Sequence, residues 1–96
     1  MITTKYTSYK KEVKKLQERM AISIASMLET VSIDTRNELA VELELNSFEC
    51  ENALYTVTAI DAKAELYNIW TEETKEIPVS DLPTDVLMLI LEILDR

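Results

Sequence analysis

The chain has 96 residues, 47% apolar and 29% charged, with a formal net charge of −8, which fits one domain with one modest core and argues against disorder. It holds no glycine and no histidine; the first absence excludes glycine-rich phosphate cradles, and the second removes the commonest general base and transition-metal ligand. Neither an enzyme nor a cofactor or metal site is expected from such a composition.

Charge is unevenly divided. Residues 1–19 hold six basic side chains against two acidic ones, a net of +4, whereas residues 20–96 hold four against sixteen, a net of −12. The N-terminal segment lacks the apolar run of a signal peptide, and no apolar stretch approaches the roughly 20 residues that span a bilayer. A single cysteine, Cys50, allows no intramolecular disulfide and suits a reducing compartment, so a cytoplasmic protein without membrane attachment is expected. Cys50 itself is expected to be a small buried or half-buried side chain.

Along the chain, Val13, Leu16, Met20, Ile24, Met27 and Val31 recur at steps of three and four, which predicts a helix from about Ser8 to Glu29 with one apolar stripe. Away from that stripe stand Lys10, Lys11, Lys14, Lys15 and Arg19, the candidate polyanion-binding residues, with Tyr6 and Tyr9 among the lysines. Lysines at a helix start oppose the macrodipole, so helix stability does not account for them.

The segment 32–37 breaks the helical period. Leu39, Val41, Leu43 and Leu45 then alternate with Ala40, Glu42, Glu44 and Asn46, which predicts a first strand with Leu43 pointing inward. A loop over 47–52 leads to a second strand over 53–60, rich in β-branched and aromatic residues. Residues 65–70 form the third predicted strand, and 75–79 the fourth, held to an edge position by Pro78. Thr84 reads as the N-cap of a final helix with Asp85 in its first turn. The predicted architecture is a single α+β domain over 1–96, ordered α-β-β-β-β-α, a four-stranded antiparallel meander with N- and C-terminal helices packed on one face.

The final helix is apolar over an arc about twice the roughly 100° that one neighbour covers. On its wheel only Met88, Glu92 and Asp95 fill the gap. Either the first helix lies beside it and covers a second side, or part of the arc is a patch for a second copy or another protein. The candidate partner-binding residues are Met88, Leu89 and Leu91. The acidic pairs Glu42 with Glu44 and Glu72 with Glu73 lack the spacing of a calcium loop, and no metal site is expected from them.

Residues 53–94, with a strand, an acidic turn, E-L-Y, then E-I-P-V-S-D-L and an apolar last helix, resemble small uncharacterised proteins of gut Bacteroidales genomes and their mobile elements. The resemblance implies a bacterial or phage accessory protein and carries no functional residues. The expectation is a non-enzymatic intracellular protein–protein interaction module, single or homodimeric. The alternative is a nucleic-acid-related protein, binding through the basic first helix or mimicking nucleic acid through an acidic sheet.

Overall fold

The computed structural model describes residues 2–96, with side chains described from Lys10 onward. Tyr6 and Tyr9 fall outside the described side chains. Helix α1 spans Ile2–Thr30, helix α2 Ile33–Leu45, strands β1 Phe48–Cys50, β2 Ala53–Ile60, β3 Lys63–Asn68 and β4 Thr74–Pro78. A 3₁₀ turn at Val79–Asp81 leads to helix α3, Thr84–Leu94. The strands form one antiparallel sheet in the order β1-β2-β3-β4, so the α+β meander with a helix at each end is as expected.

One element differs. Residues 39–45, read as the first strand, are the second half of α2, and the first strand is the short β1 inside the expected 47–52 loop. The alternation of Leu39, Val41, Leu43 and Leu45 was matched by an equally good i, i+4 pattern: Leu39 and Leu43 are buried, whereas Val41 and Leu45 are 57% and 77% exposed. Propensity decides between the two periods, because 38–45 is glutamate, leucine and alanine with Val41 as its one β-branched residue. The start is also signalled: Ser32 is an extended N-cap whose Oγ accepts from the Thr35 amide at 3.2 Å, with Asp34 in the first turn. Arg36 reaches back and donates to the Leu28 carbonyl at 2.7 Å, satisfying a carbonyl at the end of α1 and fixing the α1–α2 corner. Glu42 and Glu44 therefore do not share a strand face. On a helix, residues i and i+2 point about 200° apart.

Two helix boundaries also move. α1 begins at Ile2, well before Ser8, so Lys10 to Arg19 lie two or more turns inside it and the macrodipole, felt only in the first turn, is no longer an argument about them. Thr84 is the first residue of α3, and Pro83 occupies the cap position with no side-chain hydrogen bond. Cys50, expected to be buried or half-buried, is exposed at the end of the edge strand β1.

Sheet residues Ala53, Tyr55 and Val57 of β2 and Ala64 and Leu66 of β3 alternate onto one face and join the core with Ile24 and Leu28 of α1, Leu39 and Leu43 of α2, and α3. From Tyr55 to Val57 the register with β3 is regular; at Thr58 a bulge inserts one residue before Ala59 pairs with Glu65. Without glycine, the two-residue turn between β1 and β2 uses Glu51 and Asn52, both at positive φ (50° and 62°), and Glu72 takes φ 62° between β3 and β4.

α3 answers why a short helix is apolar nearly all round. It packs against α1 on one side and α2 on another, and it buries Val86, Leu87, Ile90, Ile93 and Leu94. Each such side chain contributes about 1.5–3 kcal/mol when fully buried. The second covering helix is α2, whose alternating leucines and valine predict a strand. The radius of gyration is 14.3 Å and the extents are 49 × 33 × 19 Å, larger than the about 12–13 Å of a compact chain of this length. A 29-residue helix, roughly 43 Å long, accounts for the excess.

Candidate functional site, a methionine-lined groove

α1 passes the entry of α3 at Lys14 and Gln17 and continues beside it. Lys14 Nζ meets Asp81 at 2.8 Å, and Gln17 Nε2 donates to the Leu82 carbonyl at 2.8 Å. The Asp81 hydrogen bond raises the Lys14 pKa above its usual value; desolvation, the next largest effect, opposes it, and the nearby charges of Asp81 and Glu18 add to the rise. These contacts set the rotation of α1: Ile24 and Leu28 turn into the core, and Met20, Ser23 and Met27 turn along the seam with α3.

The seam is not closed. An open groove of about 780 Å³ runs between the helices. Met20, Ser23 and Met27 form one wall; Asp85, Met88, Leu89, Leu91, Glu92 and Asp95 form the other. The structure thus brings Met88, Leu89 and Leu91, picked from the wheel of the last helix, into one concave surface. Met88 is 57% exposed, and Leu89 and Leu91 are half-buried. Every methionine after Met1 lies in this groove. Unbranched, polarisable side chains repack around different shapes, which suits a surface that receives another one.

The opposite wall escaped the sequence reading. Met20 and Met27 belong to the apolar stripe of α1 and look like core, but the stripe is wider than α3 can cover. Leu16, one turn before Met20, is 46% exposed for the same reason. The available signal was that Met20 and Met27, with Leu16, lie along one edge of this stripe, and Ile24 and Leu28 along the other.

Electrostatically the walls differ. Asp85, Glu92 and Asp95 line the α3 side. Arg96, the nearest cation in sequence, turns away to α2: its guanidinium meets Glu38 at 2.6 Å and Glu42 at 3.8 Å, with Glu92 only at 4.0 Å. The Glu38 hydrogen bond is the main cause of a raised Arg96 pKa. Among the described residues, Asp85 and Asp95 make no ion pair.

The candidate polyanion-binding residues do not form one patch. Lys14 is held by Asp81, and Lys10 is also engaged in a contact. Lys11, Lys15 and Arg19, at i, i+4 and i+8, make one exposed ridge along α1. Among the described residues no cluster of histidine, cysteine or carboxylate side chains is arranged to hold a metal ion, and no helix is long and apolar enough to cross a membrane. Other exposed apolar side chains, such as Ile33 and Leu45 on α2 and Trp70 at the β3–β4 turn, are spread over different elements. Comparison of the chain with protein-family models, with curated proteins and with solved structures gives no match.

Proposed function

We propose that this chain is a non-enzymatic protein–protein interaction module of the bacterial cytoplasm, a cellular or phage accessory protein that works through the α1–α3 groove. The observation that carries the reading is the concave apolar trough itself: Met20, Met27, Met88, Leu89 and Leu91 present adaptable apolar surface beside one acidic rim. An apolar helical groove of this kind is the usual receptor for an amphipathic helix. The absence of histidine and of glycine from the whole sequence supports the non-enzymatic part.

The test places a photocrosslinking residue, p-benzoylphenylalanine, at position 88 and, as a control, at Lys63, the exposed first residue of β3. In cells, a discrete adduct is expected from position 88 and none of the same mass from position 63. Adducts absent from position 88, or equal from both, refute the groove as the working surface.

Direct contact with nucleic acid is a second reading, favoured by the ridge Lys11, Lys15 and Arg19. It predicts a mobility shift at low salt that fades steeply as salt is added. With the remaining 77 residues at a net of −12, the bulk of the molecule repels a polyanion, and the groove is the stronger reading.

A further inference from the structure

Resting on the groove reading above, we propose that the occupant of the groove is α1 of a second copy of this chain. The pair forms a two-fold dimer in which the ridge Lys11, Lys15 and Arg19 of each copy lies along the acidic rim Asp85, Glu92 and Asp95 of the other.

A two-fold interface is isologous, so one surface must carry both halves of the recognition. This surface does. The groove needs an amphipathic helix with basic flanks, because its floor is apolar and its α3 rim is acidic. The described part of α1 is such a helix, and it lies in the same face. Its exposed Leu16 continues the stripe of Met20 and Met27, and the basic ridge runs beside that stripe.

Charge also selects the direction of the axis. A two-fold that stacked α3 on α3 would face Asp85, Glu92 and Asp95 with their own copies, and one that stacked α1 on α1 would face lysine with lysine. Like charges set against each other oppose association. An axis along the groove puts α1 of each copy over α3 of the other and makes both contacts attractive. Among the described residues Asp85 and Asp95 make no ion pair, Lys14 is held by Asp81, and Arg96 lies chiefly on Glu38 and reaches Glu92 only at 4.0 Å.

The arrangement has a decisive signature, because the two contacts can be reversed separately. One variant carries Lys15→Glu with Arg19→Glu, and the other carries Asp85→Lys with Glu92→Lys. Each variant alone faces acid with acid or base with base. Mixed, they restore two attractive contacts, since the altered ridge of the first meets the altered rim of the second and the two unaltered sets meet each other.

Sedimentation equilibrium of the wild-type protein at about 100 μM should show a dimer, a concentration at which a micromolar Kd leaves little monomer. Each variant should sediment as a folded, mainly monomeric protein, its Kd weakened about a thousandfold, which is about 4.1 kcal/mol, and an equimolar mixture should recover a dimer of one copy each. Should Asp85→Lys disturb the entry of α3, Asp85→Asn with Glu92→Gln replaces it and should weaken the dimer without blocking it. A monomeric wild type overturns the proposal, as do variants that stay dimeric alone or a mixture that stays monomeric. A monomeric wild type whose position 88 still crosslinks to a different protein sinks the second copy and leaves the groove reading standing; loss of both sinks both.

Discussion

Leu43 and its neighbours separate helix from strand at the one element where two periods compete. Leu43 is 2% exposed and part of the core, so Leu43→Ala removes buried methyl groups and leaves a cavity at a cost of about 2–5 kcal/mol. Val41 and Leu45 are largely solvated, so their truncation to alanine should stay within about 0.5 kcal/mol. A strand in the register that alternation implies would bury all four apolar residues, and each truncation would then be costly. With a net stability of roughly 5–15 kcal/mol for a domain of this kind, the Leu43 loss is a large share of the total. Urea denaturation followed by circular dichroism reads it as a lower midpoint at unchanged slope. A Val41→Ala or Leu45→Ala cost equal to that of Leu43→Ala would refute the α2 assignment and the core built on it.

Three further outcomes follow from other parts of the molecule. Glu72→Gly should raise the melting temperature, because a side chain at φ 62° costs about 1–2 kcal/mol that glycine avoids, offset in part by a more flexible unfolded chain; a fall on calorimetry would contradict the left-handed turn. Cys50 is exposed, so a thiol reagent should modify the native protein at about the rate of a free thiol, and protection until denaturant is added would place it back in the core. The raised Lys14 pKa makes the stabilising effect of its pair with Asp81 whole below the unfolded lysine value, about 10.4, and lost as pH rises through the folded value. The difference in urea midpoint between wild type and Lys14→Gln should therefore be constant from pH 7 to 9 and shrink above pH 10, and a difference that vanished by pH 8 would contradict this.

What could be read from the sequence divides along the length of the signal. α1 and α3 carry strong helical periodicity, and β2 to β4 are runs of strand-forming residues between polar turns; all were legible, with β3 at Lys63–Asn68, two residues earlier than the expected 65–70. α2 was not, because over seven residues Leu39, Val41, Leu43 and Leu45 satisfy a period of two while Leu39 and Leu43 satisfy a period of 3.6. The cap at Ser32 and the run of good helix formers were the deciding signals, and both were outweighed by the alternation. β1 was hidden for a different reason. It is three residues long, and its turn uses Glu51 and Asn52 in a chain without the glycine that usually marks such turns. Half of the groove was legible, since Met88, Leu89 and Leu91 follow from the wheel of one helix. Met20 and Met27 were not assigned to it, because which edge of the α1 stripe faces the seam depends on tertiary contacts, those of Lys14 with Asp81 and Gln17 with Leu82.

Two adjacent lysines show how local and intermolecular roles separate on α1. The intrahelical neighbours of Lys15 are Lys11 and Arg19 four residues away and Glu12 and Glu18 three residues away. Pairs at these spacings are worth about 0.2–0.5 kcal/mol each, and two attractive and two repulsive ones cancel. Nothing within the helix therefore sets the sign of the charge at position 15, and Lys15→Glu should leave the urea midpoint of the monomer almost unchanged. Lys14 differs, because its ammonium reaches Asp81 at 2.8 Å and ties α1 to the turn that starts α3. Lys14→Glu sets two carboxylates against each other at that joint and should lower the midpoint while leaving the charge on the exposed ridge intact. If α1 of a second copy fills the groove, sedimentation should report Lys15→Glu and denaturation should report Lys14→Glu. Two variants that moved the same measurement by the same amount would mean that the ridge is an ordinary solvated helix face.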